Sequence, residues 1–173
     1  MDLPCVALIG MRGSGKTTVG QQLARLLGGD FVDTDDLVVT DSGRSIADIF
    51  ATDGADAFRR YEAQAVARAA KQQPRVISVG GGAVLDEKNV EVLSKVAMIV
   101  WLTATPEVLW QRVRDDSRPR HERPALTDQS GLAEMQQLLD ERRATYEQAA
   151  DLIVDTTDRT PAEVAEDIAS QIA

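Results

Sequence analysis

Three features of the 173-residue chain predict a single three-layer α/β domain with parallel strands. Short runs rich in Val and Ile alternate with longer segments of helical periodicity, which is typical of strands joined by helical crossovers. The length fits one domain, because domains cluster near about 100–150 residues, and no repeat or linker divides residues 1–173. The 43% hydrophobic and 27% charged residues are ordinary for a globular protein and argue against wholesale disorder.

The apolar spacing places each element in turn. Five short apolar runs predict strands at residues 5–9, 31–33, 75–79, 98–102 and 152–154. Helical patterns are found at residues 17–27, 45–50, 55–71, around 90–93, from 106 onward, 132–149 and 161–172. Gly28 and Gly29 end the first helix, and Pro106 can open a helix because the first helical position needs no N–H. Residues 112–126 show no periodicity.

The composition excludes several kinds of chemistry. The net charge of −9 argues against a dedicated nucleic-acid binder, which is usually basic. One cysteine, Cys5, cannot form an intrachain disulfide, and with the single His121 it cannot build a Cys/His zinc cluster. A Ser-His-Asp triad would have to recruit His121 from a charged, Pro-containing stretch. Acid–base chemistry therefore falls to carboxylates, arginines, lysine and backbone.

The N-terminal segment shows no targeting signal. Residues 3–9 are apolar but lack a basic leader and end at once in Gly10-Met11-Arg12. No stretch approaches the roughly 20 apolar residues of a membrane span. We therefore expect a cytoplasmic protein with no membrane partner. Its expected oligomeric state is a monomer.

Residues 10–17 read Gly-Met-Arg-Gly-Ser-Gly-Lys-Thr and match the pattern G-x-x-x-x-G-K-[ST]. In this pattern the glycines let backbone N–H groups surround a β-phosphate, Lys16 reaches the β- and γ-phosphates, and the Thr17 hydroxyl binds Mg²⁺. The alternative is a glycine-rich turn that fits by chance. The strand before it and the helix after it favour nucleotide binding. A dinucleotide fingerprint fails, because no third glycine follows.

Asp33 and Asp35 lie two residues apart at the end of the second strand. If the strand continues through them, both carboxylates project to one face at the edge where α/β sheets bind ligands. One could then hold the Mg²⁺ water shell while the other accepts a proton from an attacking hydroxyl. The alternative is that Asp35 or Asp36 simply starts the next helix as a cap.

Two arginine pairs lie on predicted helices. At 100° per residue, Arg60 faces solvent, whereas Arg59 flanks an apolar stripe. Arg142 falls in the middle of the stripe of its own helix, and Arg143 lies near the edge of that stripe. An unpaired charge within a stripe is costly, so Arg142 needs an anion. The partner is either an internal carboxylate or a ligand carboxylate, which suits a forked guanidinium.

Two segments outside the helices could close around a ligand. Gly80-Gly81-Gly82 follows a strand and is either a flexible loop or a place where backbone approaches a ligand closely.

Five arginines and His121 lie between residues 112 and 123. This basic stretch predicts a mobile lid over polyphosphate at about residues 113–127, with a solvated surface loop as the alternative.

The sequence resembles the shikimate kinase family along nearly its whole length. The motifs that carry this resemblance are residues 10–17, Asp33-Thr34-Asp35, residues 43–50, Phe58-Arg59, Gly80-Gly81-Gly82, Arg123-Pro124, and Arg142 four residues before Tyr146. The resemblance implies a P-loop kinase fold of the nucleoside-monophosphate kinase type, with a five-stranded parallel sheet flanked by helices and a lid. It also implies transfer of the ATP γ-phosphoryl group to the 3-hydroxyl of shikimate, in aromatic amino-acid biosynthesis.

The resemblance also implies roles for individual residues. Asp35 would hold the substrate hydroxyls and act as the base, on a substrate-binding helical segment at about residues 34–60. Shikimate would be bound by Arg59, Gly81 and Arg142. The Mg²⁺ shell would involve Asp33 and Thr17, and the transferring phosphoryl group would be stabilised by Lys16 and Arg123. ATP would contact Gly13, Ser14, Gly15, Lys16, Thr17, Thr18, Arg123 and Arg159, with Arg112 and Arg159 at positions near adenine.

The chain departs from the family pattern in the lid and directly before Tyr146. Ala125 replaces a usual leucine, and Ala144-Thr145 precedes Tyr146 where Pro-Leu is usual. The lid is longer than in many members and contains a second Arg-Pro at Arg118, although Pro124 and Leu126 favour Arg123 as the ATP contact.

Two other functions remain open at this point. One is a related small-molecule kinase, for example one acting on gluconate. The other is a non-catalytic nucleotide-binding module or switch. No Asn-Lys-x-Asp tetrapeptide for reading guanine is present, which argues against a GTPase switch.

Overall fold

Five parallel strands form the middle layer of the computed structural model, which describes residues 5–116 and 131–172. Their bounds are β1 Cys5–Ile9, β2 Phe31–Asp33, β3 Val76–Ser78, β4 Ala97–Thr103 and β5 Leu152–Asp155. The order across the sheet is β2-β3-β1-β4-β5, and all four pairings are parallel. The predicted parallel α/β sheet is therefore confirmed. Because β1 is central, the loop that follows it lies in the middle of the carboxyl edge.

Helices cover both faces of this sheet. Their bounds are α1 Lys16–Leu26, α2 Thr34–Ser42, α3 Ile46–Gln72, α4 Glu87–Ser94, α5 Pro106–Asp115, α6 Leu132–Ala149 and α7 Pro161–Ile172, with a 3-10 turn at Ala83–Leu85. Within residues 5–116 and 131–172, no helix is long and apolar enough to cross a membrane.

The alternation of side chains along the strands divides the core into two layers. Val6 and Leu8 of β1 pack with α1 and α7 on one face. Ala7 and Ile9 pack on the other face with α3, α4, α5 and α6. Both sets are buried because a central parallel strand is covered on its two sides. A third cluster joins α2 to both parts of α3.

The helix α3 changes direction at Gly54. The φ of 82° and ψ of 177° at this glycine interrupt the helical backbone and divide α3 into two segments. The two predicted helices at residues 45–50 and 55–71 are thus present on either side of the bend. A φ in this region favours glycine, since other residues are strained there.

The predicted strand at residues 31–33 is confirmed; of the two interpretations of Asp33 and Asp35, the one in which the strand continues through Asp35 is wrong. The strand ends at Asp33, and α2 begins at Thr34. The Asp33 carboxylate accepts a hydrogen bond from the Asp35 N–H at 2.9 Å and so caps the helix. An aspartate that satisfies a free first-turn N–H stabilises the helix start, which outweighs extension of a three-residue edge strand.

The prediction that periodicity is lost from residue 112 is also wrong, because α5 runs on to Asp115. The Thr105 side chain caps this helix, and Leu109 anchors it in the core. Arg112 and Arg114 lie in its last turn, where cations are favourable. Residues 113–115 of the predicted lid are therefore helical, and residues 117–127, with Arg118, His121 and Arg123, lie outside the described residues.

Candidate active site

The phosphate loop connects β1 to α1, and its glycines are required by contact with the backbone. A Cβ atom at Gly10 would lie 2.4 Å from the Leu102 carbonyl oxygen, and one at Gly13 would lie 2.5 Å from that of Leu109. Both glycines have positive φ, at 143° and 80°. Lys16 Nζ donates to the carbonyl oxygens of Gly10 at 2.7 Å and Met11 at 3.0 Å. The loop thus holds the ammonium group close to its own backbone.

The N-terminus of α1 is open to an anion. Its cap residue, Gly15, has a φ of 93° and supplies no side-chain hydrogen bond to the first turn. The first-turn N–H groups and the helix dipole therefore present partial positive charge at the end of the loop. This is the arrangement that binds a phosphate group.

A cleft of about 1120 Å³ runs along the carboxyl edge of the sheet from this loop. The predicted ATP-binding residues that lie within the described part of the chain all line it, namely Gly13, Ser14, Gly15, Lys16, Thr17, Thr18 and Arg159. The carboxylates of Asp33 and Asp35 and the backbone of Gly80 and Gly81 also line it. The structure therefore brings the P-loop, the acidic pair and the triple glycine into one space.

Asp33 and Thr17 place two oxygens where a divalent cation would fit. Thr17 Oγ1 donates to Asp33 Oδ2 at 3.1 Å. Adjacent ligands on an octahedral Mg²⁺ are about 3 Å apart, given Mg–O distances of about 2.1 Å. Burial, followed by the nearby Asp35 carboxylate, raises the pKa of Asp33 above its ordinary value. A cation would offset both effects, so these residues fit Mg²⁺.

The described residues contain no cluster of three or more acidic, His or Cys side chains that could hold a metal. A cation at Asp33 and Thr17 would take its other ligands from water and from the phosphates of a nucleotide. Mg²⁺ commonly binds in this way, with few protein ligands.

Asp35 lies in the first turn of α2, half-buried and facing the cleft. It lines the same cleft as Gly80 and Gly81, because the paired strands β2 and β3 end side by side. A carboxylate so placed can accept a hydrogen bond or a proton from an alcohol bound there.

The segment Gly80–Gly82, which we call the glycine loop, is held by side chains from two helices. The Gly80 N–H donates to Thr34 Oγ1 at 3.3 Å. The Tyr146 hydroxyl donates to the Gly81 carbonyl oxygen at 2.5 Å. A Cβ atom at Gly81 would lie 3.3 Å from the Gly10 carbonyl oxygen. The glycine loop thus lies directly against the phosphate loop.

Arg59 lies against the end of the glycine loop. A Cβ atom at Gly82 would lie 2.6 Å from Arg59 Nη2, so a side chain there would require the guanidinium group to move. Arg59 Nη1 pairs with Glu62 Oε1 at 2.5 Å, and Glu62 is only 1% exposed. The buried Glu62 carboxylate thus has the Arg59 guanidinium group as its counter-charge. Arg60 is exposed, as predicted.

Arg142 is half-buried on α6, one turn before Tyr146, and Arg143 is exposed. A Cβ atom at Gly81 would lie 3.8 Å from Arg142 Nη1, which places the guanidinium group beside the glycine loop. Among the residues that the structure describes, no carboxylate forms an ion pair with Arg142. Of the two predicted partners, the ligand carboxylate is therefore favoured over an internal one.

Arg112 and Arg159 line the far end of the cleft, near the start of α7. Arg112 donates to the Gly13 carbonyl oxygen at 3.3 Å and to Thr156 Oγ1 and O at 2.9 and 2.6 Å. Burial lowers the pKa of Arg112 from its ordinary value. Arg159 pairs with Asp167 at 2.8 Å. Arg112 thus ties the phosphate loop to the segment after β5.

Sequence reasoning missed two parts of this site. Thr156 is buried directly after β5, and its hydroxyl oxygen accepts a hydrogen bond from Arg112. The only sequence signal for this role is the pair of threonines that follows the last strand. The support of the glycine loop by Thr34 and Tyr146 was missed because it depends on contacts 46 and 65 residues apart.

The family model described as shikimate kinase matches residues 12–173 of the chain. A shikimate kinase from Symbiobacterium thermophilum is 44% identical over 167 residues, which cover 96% of this chain and 95% of that protein. The solved shikimate kinase from Acinetobacter baumannii in complex with shikimate has a TM-score of 0.90 at 31% identity. That match covers 98% of this chain and 93% of the other.

A gluconokinase from Sinorhizobium meliloti is less similar. Its solved structure has a TM-score of 0.57 at 20% identity and covers 99% of this chain and 92% of its own. At that identity the likeness shows a shared fold alone.

Proposed function

The chain belongs to the shikimate kinase family, and from this premise we propose that it transfers the γ-phosphoryl group of ATP to the 3-hydroxyl of shikimate. The products are shikimate 3-phosphate and ADP, and the reaction serves aromatic amino-acid biosynthesis. The chain is thus an ATP-dependent kinase with an alcohol acceptor.

One observation more than any other supports an acceptor that carries a carboxylate, as shikimate does. Arg142 is a half-buried cation for which the described residues offer no carboxylate partner, and it lies beside Gly81. A buried or half-buried charge requires a counter-charge, and a forked guanidinium fits a carboxylate in two parallel hydrogen bonds. Shikimate carries one carboxylate, whereas the phosphates of the donor lie at the P-loop.

Arg59 and Gly81 are the proposed partners of Arg142 in binding shikimate. The pair with Glu62 limits the rotamers of Arg59, so that less side-chain entropy is lost when a ligand binds. The absence of side chains in the glycine loop allows the ring of the acceptor to approach the backbone. These contacts would hold the 3-hydroxyl toward the phosphate loop.

Asp35 is the proposed base. It lines the same cleft as Gly81 and Lys16, where an acceptor hydroxyl would meet the γ-phosphate. Phosphoryl transfer has a loose transition state, so positioning and charge stabilisation supply most of the rate. The carboxylate of Asp35 would orient the hydroxyl and take its proton as the P–O bond forms.

Lys16 is proposed to stabilise the charge on the transferring phosphoryl group, together with the first-turn N–H groups of α1. Arg123 remains the predicted second cation for this task, and it lies outside the described residues. Asp33 and Thr17 would hold Mg²⁺, which neutralises charge on the β- and γ-phosphates when it is bound. Gly13, Ser14, Gly15 and Thr18 would contact the phosphates, and Arg159 would lie near the adenine.

An acceptor panel tests the proposal. ADP release from MgATP would be followed with shikimate, gluconate and nucleoside monophosphates, each over the same concentration range. We expect turnover with shikimate alone among these acceptors. Faster turnover with gluconate would favour the related-kinase alternative, and ATP binding without turnover on any acceptor would favour a non-catalytic module.

Two further predictions concern the state of the protein. We propose that it acts as a monomer in the cytoplasm, without nucleic acid or membrane as a partner. Light scattering during size-exclusion chromatography measures the oligomeric state, and the expected mass is near the 18.8 kDa of one chain. Cell fractionation tests the location, and we expect the protein in the cytoplasmic fraction.

A further inference from the structure

The glycine loop has no side chains with which to fix its own conformation, yet it lines the cleft and lies against the phosphate loop. Glycine loses more conformational freedom on folding than any other residue, and three in succession require external support. The contacts that supply this support lie outside the proposed catalytic and binding residues.

Tyr146 provides the first contact from inside the core. It is completely buried, its ring stacks on Trp101 with centroids 5.4 Å apart, and its hydroxyl donates to the Gly81 carbonyl oxygen at 2.5 Å. The same hydroxyl lies 3.6 Å from Met11 Sδ in the phosphate loop. The ring is thus held by packing, and the hydroxyl is aimed at one carbonyl.

Thr34 provides the second contact from the opposite side. It is completely buried at the start of α2, and its Oγ1 accepts from the Gly80 N–H at 3.3 Å. The hydroxyl therefore supplies a partner for a backbone donor that would otherwise be buried and unsatisfied.

These two contacts determine which way the backbone of the glycine loop faces. A peptide group is planar and trans, so a Gly81 carbonyl held toward Tyr146 turns the Gly82 N–H away from it. Within residues 5–116 and 131–172, neither the Gly81 nor the Gly82 N–H donates a hydrogen bond. Gly81 lines the cleft, so its N–H group lies beside the space that a bound molecule would occupy.

We infer that Tyr146 and Thr34 are positioning residues that fix the glycine loop for the acceptor substrate. Tyr146 also places this loop in register with Arg142, because the two residues lie one turn apart on α6 and both reach Gly81. The inference rests on the proposed role of Gly81 in binding shikimate.

The test measures the KM for shikimate, the KM for ATP and the melting temperature of variants that lose one hydroxyl. Tyr146→Phe keeps the stacked ring and should raise the KM for shikimate about three- to tenfold, with the KM for ATP changed less than about twofold. Thr34→Val should raise the KM for shikimate likewise, and Thr34→Ser should restore it, because serine keeps the acceptor oxygen.

Matched controls separate positioning from stability. Tyr61→Phe removes the hydroxyl of the other tyrosine, which is half-buried on α3, and should leave both KM values unchanged. Ile168→Val trims a buried side chain of α7 on the opposite face of the sheet. It should lower the melting temperature without changing the KM for shikimate.

Gly81→Ala distinguishes the inferred positioning role of Tyr146 and Thr34 from the proposed role of Gly81 in binding shikimate. Its methyl group would lie 3.3 Å from the Gly10 carbonyl oxygen and should raise the KM for shikimate. If Gly81→Ala raises this KM but Tyr146→Phe leaves it at the wild-type value, the inference is overturned and the proposed function stands. If neither changes it, the role of Gly81 fails as well. Should Tyr146→Phe not fold, Thr34→Val and Thr34→Ser decide the inference by the same criterion.

Discussion

The two sides of the cleft are built in different ways. The donor half, residues 10–18, is one continuous segment that offers mainly backbone groups and one lysine. The acceptor half combines Asp35 of α2, Arg59 of α3, the glycine loop and Arg142 of α6. A phosphate site can therefore be made from local sequence, whereas the acceptor site depends on the tertiary fold.

Their electrostatics differ as well. The donor half uses the partial charges of α1, which are fixed by the helix itself. The acceptor half uses two arginines, one paired with buried Glu62 and one with no carboxylate partner among the described residues. Losses of charge in the donor half should therefore affect ATP binding and kcat, while losses of an arginine in the acceptor half should affect shikimate binding.

The largest expected effect is at Asp35, the residue of the acceptor half that is proposed to take the proton of the acceptor hydroxyl. Asp35→Asn should reduce kcat by about 10²–10⁴, because the amide cannot take the proton of the hydroxyl. ATP binding, measured by calorimetry, should stay near the wild-type value. Asp56→Asn, at an exposed position on α3, serves as the control and should keep full turnover. Near-normal turnover in Asp35→Asn would remove the base assignment.

The next effect is confined to the donor half. Lys16→Met should reduce kcat by about 10²–10³, because the transferring phosphoryl group loses one fixed cation. Steady-state kinetics at saturating shikimate would measure it. The control is Lys88→Met on the exposed face of α4, where we expect no change. An equal loss in both variants would indicate a general effect of charge and not a local one.

A smaller effect is expected in the acceptor half. Arg142→Gln should raise the KM for shikimate about 10- to 100-fold, which is the range for losing hydrogen bonds to a charged group. Arg143→Gln, one residue along and exposed, should leave it unchanged. Shikimate titrations at fixed ATP distinguish the two, and an unaltered KM in Arg142→Gln would contradict the proposed carboxylate contact.

The smallest effect is expected at Cys5, which begins β1 at the end opposite the phosphate loop. Burial raises the pKa of its thiol from 9.0 to about 11, against a smaller lowering by Arg75. Since the thiolate is the reactive form, alkylation by iodoacetamide at pH 8 should be about 100-fold slower in the folded protein than in guanidinium. The rate in the folded protein should rise with pH toward 11. Rapid labelling at pH 8 would contradict the raised pKa.

The contrast between the halves also explains what the sequence could predict. The strands, α6 and the phosphate loop follow from local patterns, namely apolar runs, helical periodicity and a glycine spacing. Arg142 was singled out by its place in an apolar stripe, and the structure gives it no internal carboxylate partner among the described residues.

Other features depend on competition between local and distant contacts. The sequence leaves two alternatives open after β2, a longer strand and a helix start near Asp35, and the structure has the helix, which Asp33 caps. The contacts of Tyr146 and Thr34 with the glycine loop join residues far apart in the chain, so no local pattern reports them.

Four calorimetric titrations test most directly whether the donor half binds ATP and the acceptor half binds shikimate. In them, Lys16→Met and Arg142→Gln are each titrated with ATP and with shikimate. We predict that Lys16→Met weakens ATP binding and leaves shikimate binding within about twofold of wild type. Arg142→Gln should show the opposite pattern, because residues that share no ligand and no partner act independently. A loss of ATP affinity in Arg142→Gln equal to its loss of shikimate affinity would contradict the account.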